Sequence, residues 1–372
     1  MKKSLFYAGI GAVVFAAAPF AARACTSWMV FSDLTKNNTN ILHKNRDSKS
    51  TNIAAFISKP DAKRKWVALN NTDAGVNAGV NTSGLAGVMN SGERCVDPPN
   101  VRKGGKDTTV IMRTILESCD TAKQAVAKLE EIIKSGDYHH GDSGSTFLFC
   151  DVNEGYVCEL TYKYVSSQRI DRGYTVRANI WQNPNMYELS RSTLLGHLHS
   201  STRAYMALSM LNQAIDTNKK VTVADSFAIS RHHRMPEKSP MTRSLCGKTT
   251  NSGATIEIDR EYPEVLSVLF ATIGPPRNTI YIPIPVCAEK LHPAMGDYRW
   301  SNAAWKHFEK NSFSAPIPEA WSKFETDAVA KFAAAKAEAR KLLKSGKRTE
   351  AVALINSTAE TIWKNAAALL GI

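Results

Sequence analysis

The stretch Ala22-Arg23-Ala24-Cys25-Thr26-Ser27-Trp28 decides how this chain is read. Before it, Lys2 and Lys3 make a positive start, and Leu5 to Phe20 is an apolar run rich in Ala and Val. Ala22 and Ala24 are small residues at the two positions a signal peptidase reads, and the apolar core is short for a membrane span. The pattern predicts a signal peptide over residues 1–24, cut at Ala24-Cys25, and an exported protein, periplasmic or secreted. Lipidation also targets a cysteine behind a leader, but Ala22 and Arg23 fit that signal poorly. Cys25 is then either the first cysteine of an exported protein or its catalytic group.

Residues 25–372 suffice for one large domain or two ordinary ones. A hydrophobic fraction of 43% and a charged fraction of 22% belong to a globular chain. No later stretch is apolar enough to span a bilayer, so no integral membrane span is expected. Formal net charge is +13, of which Lys2, Lys3 and Arg23 contribute three, leaving +10 beyond the leader. The basic residues are scattered without interleaved aromatics, which reads as solubility and mild attraction for anionic solutes and excludes a nucleic-acid footprint.

In an oxidising compartment the seven cysteines leave at least one unpaired thiol. Pairing among Cys95, Cys119, Cys150, Cys158, Cys246 and Cys287 is open, although Cys150 and Cys158 flank a hairpin turn. With a three-residue loop they are expected to face one another across the strands. No pair has zinc-finger spacing, and His139-His140 reads as a polar loop, so neither a metal nor another cofactor is expected.

Beyond Cys25 the chain reads as strands and turns to residue 91. Thr26–Phe31 and Thr39–His43 flank the turn Thr35-Lys36-Asn37-Asn38, which returns Lys44-Asn45-Arg46-Asp47 towards the start of the first strand. Glu93 to Gly105 reads as a loop. Asp120 is expected to cap a helix carrying Ala122, Ala125, Val126, Leu129, Ile132 and Ile133 at helical spacing. Two strands around 146–160, another at Tyr174–Ile180, helices near 202–214 and 222–231, and strands at 254–258, 265–271 and 279–283 follow. Beyond Pro316 the chain reads as a helical hairpin broken at Ser345-Gly346-Lys347. Short strands joined by turns, with helices between, predict an α+β fold with antiparallel sheets.

An N-terminal cysteine brings its own general base. A free α-amine titrates near ~7.7–8.0 and a thiol near ~8.5, so proton transfer between them is nearly isoenergetic at neutral pH. The amine can then hand its proton to a leaving nitrogen. The fold must add an anion for the ammonium form and donors for the oxyanion. Asp47 is the candidate anion. Lys44 and Arg46 are cations able to hold Asp47 or lower the thiol pKa. Asn90 and Asn179 are uncharged strand-end donors, and Trp181 is placed to line an acyl pocket. Each is ordinary as a turn or packing residue when taken singly; their occurrence together behind a leader that exposes Cys25 gives them weight.

Cys25-Thr26, Lys44-Asn45-Arg46-Asp47 and Gly79-Val80-Asn81-Thr82-Ser83-Gly84-Leu85, running on to Asn90, resemble the N-terminal-nucleophile (Ntn) cysteine hydrolases. The nearest branches in pattern are the linear-amide hydrolases (choloylglycine hydrolase and penicillin V acylase), the acyl-coenzyme A:isopenicillin N acyltransferases and the related cysteine dipeptidases. Gly141–Leu148, Tyr156–Leu160 and Arg177-Ala178-Asn179 are similar to later blocks. The resemblance runs from Cys25 to about Pro285 and implies a four-layer αββα sandwich, which places the domain over residues 25–315 ahead of the C-terminal helical extension over 316–372. It also implies Cys25 as nucleophile and base together, supported by Asp47, Asn90 and Asn179. Arg243 is the candidate for an arginine that those enzymes place late in the site. Lys44 stands where they usually have arginine. The implied activity is hydrolysis of a small-molecule linear amide through a thioester. The alternatives are dipeptidase or acyltransferase chemistry with the same nucleophile, or a non-enzymatic exported binding protein. A homo-oligomer is compatible with the sequence.

Overall fold

The computed structural model describes residues 25–97, 105–233, 244–311 and 315–372. The leader and Arg243 lie outside the described residues. In chain order the first strands are β1 (Thr26–Val30), β2 (Asn40–Asp47), β3 (Ala54–Ile57), β4 (Trp66–Asn70), β5 (Ala78–Asn81) and β6 (Ala86–Arg94). A short parallel pair, β7 (Lys106–Asp107) and β8 (Tyr138–His139), brackets helices α1 (Thr108–Ser118) and α2 (Ala122–Ser135). Strands β9 (Ser143–Cys150), β10 (Gly155–Leu160), β11 (Val165–Ile170) and β12 (Tyr174–Arg177) precede helices α3 (Leu194–Asn218) and α4 (Val223–Ser230). After β13 (Thr250–Ile258) come the short α5 (Pro263–Leu266), then β14 (Val268–Thr272) and β15 (Ile282–Pro285). The chain ends in α6 (Pro293–Gly296), α7 (Arg299–Asn311), α8 (Glu319–Lys344) and α9 (Arg348–Leu370).

Two antiparallel sheets face one another. One has the order β12-β1-β2-β13-β14-β15 and the other β11-β10-β9-β6-β5-β4-β3. Helices α1 and α2 cover the outer face of the seven-stranded sheet through Ile111, Leu116, Leu129 and Ile133. Helices α3 and α4 cover the six-stranded sheet, and α8 and α9 close over β15. The architecture is an αββα sandwich with a C-terminal helical hairpin, as the sequence implies. Because both faces of each central strand are covered, all five residues of β1 are buried.

The β1–β2 hairpin sets Ser27 opposite Lys44 and Trp28 opposite His43. Its turn ends at Asn38, whose φ of 52° is in the left-handed region that asparagine tolerates. The Gly-x-Asn-x-x-Gly-Leu block works as a clasp. Asn81 Oδ1 accepts from the amides of Ser83 and Leu85, while its Nδ2 donates to Leu116 O and Cys119 O at the end of α1. Gly84 has φ 82°, and a Cβ there would sit 2.7 Å from Pro263. The helical tail is tied to the sandwich by the Arg231–Glu325 ion pair at 2.6 Å and by Trp363 Nε1 donating to Pro283 O.

Several expectations are corrected. Lys44-Asn45-Arg46-Asp47 is strand to its last residue, with a register shift where it meets Thr250 and Ser252 of β13. Asn90 lies inside β6, whereas Asn179 stands two residues past β12. Of the loop expected over Glu93 to Gly105, Glu93 and Arg94 are still in β6 and residues 98–104 lie outside the described residues; α1 was not expected, and Thr121, not Asp120, caps α2. Cys150 pairs with Gly155 and Cys158 with Phe147, because the connecting loop takes four residues. The two thiols therefore occupy opposite faces of the sheet, in different cores. All seven cysteines are unbridged and buried.

Candidate active site

Cys25 immediately precedes β1, only 4% exposed, and lines a cavity of about 210 Å³ between the edges of the two sheets. Arg46 and Asp47 at the end of β2 share the cavity wall with it. Hairpin pairing explains this: β2 runs antiparallel to β1, so its last residues return beside the start of the first strand. Asp47 Oδ1 accepts from Thr250 Oγ1, which fixes the carboxylate at the bulge. Arg46 is half-buried and reaches towards Asn70 Oδ1, 3.5 Å away.

Lys44 lies behind the cavity wall, wholly buried between the sheets. Its ammonium donates to Met89 O and to Asn90 Oδ1 at 2.8 Å. Burial pulls its pKa below the ordinary lysine value, while Cys25, and more weakly Asp47, oppose that shift. An ammonium has three N–H donors, and two of those on Lys44 are met by the Met89 carbonyl and the Asn90 carboxamide oxygen. A thiolate forming on Cys25 meets a desolvated positive charge.

Asn90 is fully buried, and its Oδ1 accepts from both Lys44 Nζ and Ser27 Oγ. Its Nδ2 points to Arg177 O and Ala178 O, each at 3.4 Å. Asn179 donates from Nδ2 to Ser91 O at 2.7 Å, and Ser91 is part of the cavity wall. The cavity wall includes neither asparagine. Trp181 is likewise buried away from it, packed against Gly92 and Gly144 within the core beneath α1 and α2. Arg243 falls outside the described residues.

Sequence reasoning missed Arg203. From the middle of α3 its guanidinium donates to Cys25 O at 2.7 Å, to Thr26 Oγ1 at 3.2 Å and to Asn179 Oδ1 at 2.8 Å. One buried side chain thus holds the main chain of Cys25 and turns the Asn179 carboxamide so that its N–H₂ faces Ser91. The only signal for it was an arginine on the apolar side of a helix, beside Ala204 and Ala207. His140 was also passed over. It lines the cavity, with Nε2 3.0 Å from Ser91 Oγ.

The six other thiols are all pushed above the ordinary cysteine value by burial, Cys246 and Cys287 to about 12. They are poor nucleophiles by environment. A larger, open depression beside α2, lined by Glu130, Lys134 and Lys163, has no cysteine among its described residues.

A model of the acyl-coenzyme A:6-aminopenicillanic acid acyl-transferase family matches residues 34–244, more than half of the chain. The chain belongs to this family. Among solved structures it is similar to a variant of conjugated bile acid hydrolase from Clostridium perfringens, with TM-score 0.49 and 12% identity over 72% of this chain and 94% of that one. Penicillin V acylase from Agrobacterium tumefaciens gives TM-score 0.47 and 14% identity, covering 73% and 89%. No curated protein matches the sequence.

Proposed function

We propose that the protein is an exported cysteine amidohydrolase that acts on a linear amide through Cys25. Signal-peptide removal after Ala24 makes Cys25 the first residue and creates its base. The Cys25 thiol gives its proton to the new α-amine, and Sγ attacks the substrate carbonyl carbon. A C–S bond forms, the C–N bond breaks, and the ammonium returns the proton to the leaving nitrogen. Water then hydrolyses the thioester, with the α-amine taking a proton from the water and giving it back to the Cys25 sulfur as the acid leaves.

The observation that carries this reading is that Cys25, buried at the start of β1, lines one cavity with Asp47, with the buried Lys44 ammonium near enough for Cys25 to oppose the fall in its pKa. Lys44 stabilises the thiolate, and Asp47 orients the ammonium form of the terminus. Asn179, turned by Arg203, holds Ser91 O at the cavity wall, and Asn90 holds Lys44 in place. Arg243 is retained as a supporting residue and Trp181 as a packing element behind the acyl side. Membership of an acyl-transferase family supports acyl-enzyme chemistry, and transfer to an amine in place of water is the second outcome of the same intermediate.

The test compares the processed protein with a form extended by one residue before Cys25, both assayed on chromogenic amides. The extended form should lose activity by at least ~10³-fold, because its nitrogen is an amide and cannot act as a base. Equal activity in the two forms contradicts the mechanism.

A further inference from the structure

We infer that the acyl side of the substrate is small and hydrogen-bonding, a peptide-like amide and not a hydrocarbon or aromatic acyl chain. This deepens the proposed function and rests on it. The first ground is size. A water occupies ~30 Å³ in the liquid, so the 210 Å³ beside Cys25 equals roughly seven waters, below the ~300–1,000 Å³ of pockets for drug-sized ligands. That volume suits a group of amino-acid size.

The second ground is chemistry. Among the described residues, Met89 is the one apolar side chain on the wall apart from Cys25 itself. Carboxamides from Asn70, Asn71 and Asn77, hydroxyls from Ser91 and Thr108 and the His140 imidazole line the rest, with the charged Arg46, Asp47 and Asp107. A hydrocarbon there would strip these groups of water and give nothing back.

The third ground is unmet hydrogen-bonding capacity. Asn77 is 5% exposed, and among the described residues its side chain bonds only to the Met89 thioether, with Nδ2 3.3 Å from Sδ, a weak acceptor. Asn71 Oδ1 is buried without a partner among the described residues. Two carboxamides with spare donors and acceptors, on one wall and within a cavity that holds the nucleophile, are built to receive polar groups. A carboxylate or carbonyl on the substrate would also meet the Arg46 guanidinium at the cavity edge. Sites that hydrogen-bond a substrate reject analogues lacking the polar group far more strongly than apolar pockets reject a change of size.

The experiment follows alkylation of Cys25 by iodoacetamide in the processed protein, mapped by mass spectrometry. Protection by N-acetylglycinamide and glycylglycine is compared with that by phenylacetamide and octanamide. The polar amides should protect with at least ~10-fold greater affinity than the apolar ones. Asn77→Leu should reverse or abolish that ratio while Cys25 still reacts. Equal or better protection by phenylacetamide or octanamide in the wild type overturns the inference and leaves the nucleophile standing. A Cys25 that does not alkylate overturns both.

Discussion

The two faces of β2 bury polar side chains in contrasting ways. On the face towards α4 and β13, Tyr281 donates to Ser230 Oγ, and Ser230 Oγ donates to Asn45 Oδ1. His43 Nε2 lies 3.0 Å from the same Asn45 oxygen, and its Nδ1 is 2.7 Å from Thr255 Oγ1. Asn45 Nδ2 then ties Ser230 O and Leu245 O. Every bond stays within the framework. On the opposite face Lys44 is equally buried, yet the group that most opposes the fall in its pKa is Cys25, beside an open cavity. Burial of polar atoms is common to both faces. What separates a structural row from a catalytic one is whether the last partner is a reactive atom with space in front of it.

The sharpest way to break this contrast is Lys44→Met. It removes the charge against the thiol and should lower kcat by ~10²–10³-fold, on the scale of losing one electrostatic donor in a reacting site. Steady-state kinetics corrected for the folded fraction will show it. If activity per folded molecule is retained, Lys44 belongs with the structural row. Asn45→Leu should do the reverse. It leaves Ser230 O and Leu245 O without donors and should cost ~3 kcal/mol of stability in urea titrations, with little loss of activity per folded molecule.

The framework row also carries a pH signature. His43 stacks on Trp28 with ring centroids 3.8 Å apart, and burial pushes its pKa down to about 3. A depressed pKa means that the unfolded chain binds the proton more tightly. Stability from a neutral His43 is therefore full above pH ~6.5 and declines as pH falls towards about 3. Between pH 7 and 5 the wild type should lose about 2 kcal/mol more than His43→Gln, which keeps a polar side chain and does not titrate. Equal losses would mean that His43 takes up its proton at the same pH folded as unfolded, so that burial does not depress its pKa. Arg203→Lys should be milder, lowering kcat ~10-fold with KM nearly unchanged, because a lysine cannot hold Cys25 O and Asn179 Oδ1 in one fork. A change in KM alone would assign Arg203 to substrate binding instead.

The β1–β2 hairpin was legible because Thr35–Asn38 is strong turn chemistry between two apolar runs, and that hairpin alone brings Asp47 to Cys25. The same logic misread the next four residues. Lys44-Asn45-Arg46-Asp47 has the composition of a solvated turn, and only a partner on each side, Asn90 and Ser230, makes it a strand interior. Helix α1 escaped notice because it opens Thr-Thr-Val, residues with weak helix preference, and is held by Asp107 capping Thr109 and by packing on β6. Arg203 was invisible for a related reason. Beyond His199 O and Ser200 Oγ in its own helix, its acceptors come from residues 25, 26 and 179, and nothing local in α3 marks those three. Trp181 was placed by its closeness to Asn179 in sequence, whereas the chain turns it into the core beneath α1 and α2.

The central claim is that Cys25 becomes both nucleophile and first residue. It is tested most directly by rapid quenching of the processed protein with an activated amide, followed by intact and peptide mass measurement. One acyl group should appear on Cys25, released by hydroxylamine as a thioester is, in a chain whose first residue is Cys25. An acyl group on another residue, or turnover by a chain that still carries residues before Cys25, would contradict the account.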